Sequence, residues 1–405
     1  MGVTEGMEPH NEQICFSITL GTLSIILVIL NLDLSKIEPR RPSSQKNSDT
    51  DNCGGCSEII AKVVKNYSLA WKKQEDNFIK FSKIEPRRPS SQKNSDTDNC
   101  GGCSEIIAKV VKNYSPTWKK QEDNFIKFRS QLSSRCNGFH KSIVTQTNTP
   151  LGTKLVCDGQ KNKSIHVNQD LFNTFLKGNP FSNKSLDTCA VVGNGGILAN
   201  SSCGEAIDST QFVIRCNLPP LENDHRKHVG NKTDIVTANP SIFTEKYGGL
   251  MGRRRPFVNS LNVYGKAMLL IPAFSFIHNT PLSMRAFYSI EDFGSPIRPI
   301  FFHPEYLQKL AVFWRSQGLR AIRLSTGLIM ASLALEVCNN VHLYGFWPFS
   351  NHPYGLAPLT NHYYDDRQTK KKFHAMPAEF ELLLKLHHEG VLKVHLGQCP
   401  PQKLP

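Results

Sequence analysis

The chain predicts an α/β protein built on a mainly parallel, doubly wound sheet with flanking helices. Three observations carry that expectation. Short apolar runs of strand character alternate with longer helical ones from Cys136 onward. A glycine turn closes the first of those strands. With 39% hydrophobic residues, a chain of 405 can bury one large core or two modest ones. In a sheet of this kind ligands gather beyond the carboxyl ends of the strands.

Each element follows from its own pattern. "CAVV" at residues 189–192 reads as a strand that enters the turn "GNGG" and then a short helix. "QFVIRC" at 211–216, "DIVTA" at 234–238 and "AMLLIPAF" at 267–274 read as further strands. "RPIFFH" at 298–303 leads into a helix ending at Gly318, and "GLIMASLALEVC" at 327–338 is apolar on every side, the mark of a buried helix. The strand "VHLYGF", the helix "PAEFELLLKLHHEG" and the strand "LKVHLG" complete the alternation.

Upstream the texture differs. Residues 13–32 run for twenty positions without a charge, enough to cross a bilayer. No basic residue precedes them and no small-residue cleavage site follows, so they predict an uncleaved signal-anchor at 14–32 behind a tail at 1–13. Lys36, Arg40 and Arg41 just after the span favour a cytosolic C-terminal part. Twelve cysteines and six Asn-x-Ser/Thr sequons, at Asn66, Asn113, Asn162, Asn183, Asn200 and Asn231, favour the lumen. The lumenal orientation is adopted because a long domain translocates against a weak charge bias. Asn113 is expected to be a poor acceptor because Pro116 follows its sequon.

Residues 35–81 recur as 82–128 with two differences in 47 positions, Leu69 against Pro116 and Ala70 against Thr117. Rich in Pro, Ser, Lys and Asp, the copies are assigned to a stem at 33–135, leaving 136–405 as the functional domain. The pairs Cys53/Cys56 and Cys100/Cys103 imitate a zinc ribbon, but 43 residues separate them and duplication explains the pattern, so stem disulfides are expected. Asp49/Asp51 and their copies Asp96/Asp98 imitate a metal-binding pair yet lack a preceding strand to position them. No metal site is expected. A net charge of +14 favours anionic partners. Nucleic acid is set aside, since no recognition-helix or RNP pattern accompanies the charge.

The chemistry-bearing residues cluster in four stretches. In "VVGNGG" at 191–196 the backbone can approach a phosphate closely, with Asn194 and Gly195 in the turn. A dinucleotide-dependent oxidoreductase is the rival reading of that turn, but it needs an acidic residue about twenty positions on, where this chain has "FVIRCN". Ser325, Thr326 and Gly327 open the buried helix, where hydroxyls and N–H groups meet the positive end of the dipole or simply cap it. His362 lies in "NHYYDD" and His374 in "FHAMPAEF", just before a helix that Pro377 begins. The dipole there favours a neutral ring suited to a base, and Glu379 either orients that ring or satisfies the helix start.

Together these stretches resemble the vertebrate sialyltransferases, whose four sialylmotifs occur here in order. The large motif spans 189–239 and the small motif is "RLSTGLIMASLALEVCNNVHLYGFWPFS". "HYYD" at 362–365 and "HAMPAE" at 374–379 supply the third and the very small motif. The match covers about 136–399, and "RCNLPP" and "HYYD" look like the α2,8 branch, most of all its type VI form.

The resemblance implies a Rossmann-like fold of the GT-A-like variety, a Golgi type II membrane protein and CMP-sialic acid as donor. Asn194, Gly195, Asn217, Ser325, Thr326, Gly327 and Trp347 would bind that donor. It further implies inverting transfer to the 8-hydroxyl of a terminal sialic acid on a glycoprotein or glycolipid, O-glycans first and gangliosides or N-glycans as alternatives. His374 would be the base and His362 would stabilise the departing phosphate, without metal or other cofactor. Family pairing implies the disulfides Cys189–Cys338 and Cys203–Cys399, leaves Cys216 unpaired, and Cys136 with Cys157 is read as a third bridge.

Overall fold

A seven-stranded, wholly parallel sheet forms the centre of the protein in this computed structural model, in the order β7-β6-β5-β4-β3-β8-β9. The structure describes residues 117–181, 186–366 and 376–400, together with Ile107, Val111 and Tyr114. The expected tail, anchor and first copy lie outside the described residues, as do the CxxC and Asp pairs, Asn66, Asn113, Asn183 and His374. No helix among the described residues is long and apolar enough to cross a membrane.

The strands are β3 Leu186–Val192, β4 Phe212–Arg215, β5 Ile235–Thr237, β6 Met268–Ile271, β7 Arg298–Phe301, β8 Cys338–Tyr344 and β9 Lys393–His395. A separate antiparallel hairpin, β1 Lys154–Val156 with β2 Ser164–His166, precedes them. Parallel strands covered on both faces read as continuous apolar runs. In β3, Cys189 and Val191 accordingly face one core while Ala190 and Val192 face the other. Among the described residues five helices exceed ten residues: α1 Glu122–Cys136, α2 Asn279–Asp292, α3 Pro304–Ser316, α4 Thr326–Val337 and α5 Met376–His388. Buried side chains of α1, α3, α4 and α5 fill the first core, and those of α2 the second. From Leu328 to Val337 only Ile329 of α4 is not fully buried, as its all-round apolar sequence requires.

The chain lays down β3 to β7 in one direction, then returns to place β8 on the other side of β3. The order therefore reverses between β3 and β8, and the crevice of a doubly wound sheet opens at such a reversal. Cys189 of β3 is bonded to Cys338 at the start of β8, across 149 residues of chain. Cys203 is bonded to Cys399 across 196 residues and brings the C-terminal segment to the loop after β3. The third bridge does not form: Cys136 and Cys157 are buried free thiols, as is Cys216. Cys136 ends α1 inside the first core, and burial pushes its thiol up to about 12, the behaviour of a small apolar side chain.

The boundary placed at 135/136 falls inside α1, and the packed unit begins earlier. Phe125, Phe128, Leu132 and Cys136 recur at helical spacing and are all buried. Ahead of them Tyr114, Trp118 and Gln121, from the described end of the second copy, rest on α5, the turn after it and β9. Tyr114 stacks on His387 at 4.7 Å and donates its hydroxyl to the Val394 carbonyl. Trp118 donates its indole N–H to the His387 carbonyl at 3.0 Å, and Gln121 N–H bonds Gly390 O at 3.0 Å. A polar composition hid this seat because its anchors are few and widely spaced. A chain starting at Arg129 is predicted to lose at least 10 °C in melting temperature against one starting at residue 101, since each buried aromatic removed costs about 3–5 kcal/mol. Deleting 35–81 is predicted to leave the melt unchanged.

A histidine cluster lies beside that seat. His342 of β8 and His395 of β9 meet ring to ring at 3.0 Å, and His395 stacks on Tyr344 at 4.2 Å. Burial, with Lys393 adding to it, pushes His342 and His387 down to about 4 and His395 well below its usual range. The folded chain then binds fewer protons than the unfolded one between about pH 6.5 and pH 4. Denaturant midpoints are predicted to fall as pH drops through that window, the contribution of His342 and His387 levelling off below it.

Candidate functional site

The turn after β3 is shaped by a backbone approach. Gly193 N–H bonds Tyr344 O at 2.8 Å and Gly195 N–H bonds Gly345 O at 3.0 Å, carrying the β3–β8 pairing past the strand ends. A Cβ on Gly193 or Gly195 would sit 2.8 or 2.7 Å from Gly345 O, and one on Gly196 would sit 2.1 Å from Thr360 O. Only glycine fits there. The helix expected directly after the turn is a single 3-10 turn, Gly196–Leu198, and the α-helix Gly204–Asp208 starts later. The dinucleotide geometry of turn and helix dipole is therefore not made.

Asn194 projects from this turn. Its carboxamide nitrogen donates to Cys216 O at 2.8 Å and its main-chain carbonyl accepts Tyr363 N–H at 2.9 Å, while its side-chain Oδ1 is buried without a partner. An unsatisfied acceptor at the sheet crevice is an open hydrogen-bonding position. Asn217, two residues beyond β4, has φ 61° and donates its N–H to Thr237 Oγ1 at 2.9 Å. Asparagine tolerates that left-handed backbone better than most residues.

The loop bearing His362 is pinned over the turn by a bridge between Gly195 and His362. His362 Nδ1 lies 2.7 Å from Asp365 Oδ1, and the ring stacks on Tyr364 at 5.2 Å. Asp365 thus fixes the orientation of the imidazole.

Ser325 caps α4, its Oγ accepting Leu328 N–H at 3.1 Å, and Thr326 Oγ1 lies 3.5 Å from Asn239 Oδ1. Gly327 faces Phe346, whose ring a Cβ would meet at 2.9 Å. Glu379, in the first turn of α5, is buried and accepts Ser325 N–H at 2.9 Å. Burial raises its carboxyl above the usual range and the Ser325 bonds oppose that. Its observed bond is a different one from either expected role: it joins the start of α4 to the first turn of α5, while His374 lies outside the described residues. Trp347 is buried edge-on against Phe349 and Phe380 and donates its indole N–H to Asn351 O at 2.8 Å. The sequon side chains of Asn162, Asn200 and Asn231 are exposed.

The structure thus brings Asn194, Gly195 and His362 together where β3 meets β8, with the α4 cap tied to α5. It also contains a cavity of about 480 Å³ at the ends of β5, β6 and β7, lined by Asn239, Thr326 and Arg323 among others. Sequence reasoning missed Arg323, whose neighbours Phe276 and Asp158 come from distant segments. Glu379→Ala is predicted to cost about 1–3 kcal/mol in chemical denaturation by leaving Ser325 N–H unpaired in a buried place. Glu379→Gln, which keeps an acceptor, is predicted to recover most of it.

A model of Glycosyltransferase family 29 (sialyltransferase) matches residues 143–391. Alpha-2,8-sialyltransferase 8F of Homo sapiens is 45% identical over 271 residues, 67% of this chain and 68% of the relative. Alpha-2,8-sialyltransferase 8E of Homo sapiens is 47% identical over 271 residues, 67% of this chain and 72% of the relative. A solved mammalian sialyltransferase, 21% identical, superposes with a TM-score of 0.48 over 70% of this chain and 99% of its own.

Proposed function

The chain belongs to glycosyltransferase family 29, the sialyltransferases, and from that premise we propose that it moves sialic acid from CMP-sialic acid to the 8-hydroxyl of a terminal sialic acid, O-glycans being the preferred carriers. The observation that carries the reading is the meeting of Asn194, with its unpartnered buried Oδ1, and the Asp365-oriented His362 at the β3–β8 reversal. A nucleotide bound there takes hydrogen bonds from the turn and from the α4 start, where Thr326 and Gly327 lie, and Asn217 stands just beyond β4.

Transfer is a single displacement. The acceptor oxygen attacks C2 of the donor, the bond from C2 to the phosphate oxygen breaks with inversion, and CMP leaves with the electron pair. The hydroxyl proton passes to His374, and His362 steadies charge on the departing phosphate. His374 precedes Met376, the first residue of α5, by two positions in sequence, and α5 is tied through Glu379 to Ser325. CMP is a good leaving group without a Lewis acid, so no metal is assigned. Two disulfides suit an oxidising compartment, and the working place proposed is the Golgi lumen, with residues 14–32 as the membrane anchor.

The test is labelled transfer from CMP-sialic acid by a secreted chain starting at residue 101, onto α2,3-sialylated O-glycan, N-glycan and ganglioside acceptors. Turnover is predicted to persist in chelator, to favour the O-glycan, and to fall at least about 100-fold in His374→Ala. A folded, disulfide-bonded protein that sialylates none of these acceptors overturns the reading.

A further inference from the structure

α5 is held at both ends by segments remote from it in sequence. At its first turn Glu379 accepts Ser325 N–H at 2.9 Å, and Phe380 meets the Trp347 ring edge-on at 5.5 Å. Both contacts reach residues assigned above to the donor. From there its 13 residues run about 20 Å to His388.

The last carbonyls of a helix have no partner within it. In α5 some are met by the turn that follows, Leu386 O taking Val391 N–H at 2.8 Å and His387 O taking Gly390 N–H at 3.0 Å. The others are met from the segment that leads into α1. The Trp118 indole N–H donates to His387 O at 3.0 Å, Asn124 Nδ2 to Glu389 O at 2.8 Å and Gln121 N–H to Gly390 O at 3.0 Å. Gly390 has φ 70°, and a Cβ there would sit 2.7 Å from Gln121 N and 2.8 Å from Lys119 O. Stem and turn are thus fitted to each other at backbone contact. Apolar packing alone lets a helix slide by fractions of an ångström, whereas hydrogen bonds to its end carbonyls are lost steeply with distance and angle, so they fix it along its axis.

We infer that Trp118 is a positioning residue for the transfer site, acting through α5: its indole N–H holds the far end of the helix, and the first turn thereby holds Ser325 and Trp347 in place. The inference rests on the transferase reading. A packed helix moves as one body, and a displacement of about 1 Å at reacting groups is enough to cost about 100-fold in rate. The stem is then a working part of the site and more than a tether.

Trp118→Phe keeps an aromatic ring in the seat and removes the N–H to His387 O. In the full chain it lowers kcat at least about fivefold, while the KM for donor and for acceptor each stay within about twofold. Trp71→Phe, the same change in the first copy, leaves kcat as it was. Trp118→Phe and Glu379→Gln act on opposite ends of α5 and depart from additivity in kcat by at least about threefold, where distant independent sites add. Hydrogen exchange reads the same path without turnover: in Trp118→Phe the Ser325 amide exchanges at least about tenfold faster, and the amides of β6 keep their rates.

Unchanged kcat in Trp118→Phe overturns the inference, as does an equal fall in Trp71→Phe, additivity in the cycle, Ser325 exchange at the wild-type rate, or exchange that quickens equally in β6. If the wild-type chain transfers nothing, the transferase reading falls, and Ser325 exchange alone then decides whether Trp118 acts on the start of α4.

Discussion

Everything at the site depends on how closely two strand ends approach. Past the last paired residues of β3 and β8 the backbones stay in contact, Gly195 bonding Gly345 O while the loop at Thr360 lies on Gly196. A single added carbon at any of these glycines meets backbone, which cannot rotate aside. The turn that looked like a phosphate cradle is therefore first a packing device. It lets the Asn194 side chain and the His362 loop converge, and Cys189–Cys338 clamps the same strand pair at its other end.

The second constraint is a buried carboxylate. Glu379 removes an orphan N–H from the start of α4 and places the entry of α5 against it. Residues 54 positions apart in sequence thereby share one hydrogen bond, and burial makes that bond costly to break. Two stretches that read as separate motifs are mechanically one.

The central strands and α4 were legible because burial on both faces writes itself as uninterrupted apolar runs. The two family disulfides were legible only through resemblance, and the third was not confirmed because Cys136 and Cys157 sit in the interior as free thiols. Spacing cannot report that. Trp347, which the resemblance assigns to the donor, packs edge-on against Phe349 and Phe380. The β1–β2 hairpin escaped notice because its strands are three residues long, and α1 because its four buried residues stand among polar neighbours. Arg323 escaped because its contact with Phe276 exists only after folding.

The seat of Tyr114 and Trp118 gives the duplication a mechanical sense. The residues that anchor the second copy, Ile107, Tyr114, Trp118, Phe125 and Phe128, are matched by Ile60, Tyr67, Trp71, Phe78 and Phe81, and neither difference between the copies falls on an anchor. The copy adjoining Arg129 occupies that seat. The 47 repeated residues lengthen the chain ahead of it by at most about 160 Å of contour. Every side chain that anchors the seat is thus written twice in the sequence, so either copy carries the full set of anchors.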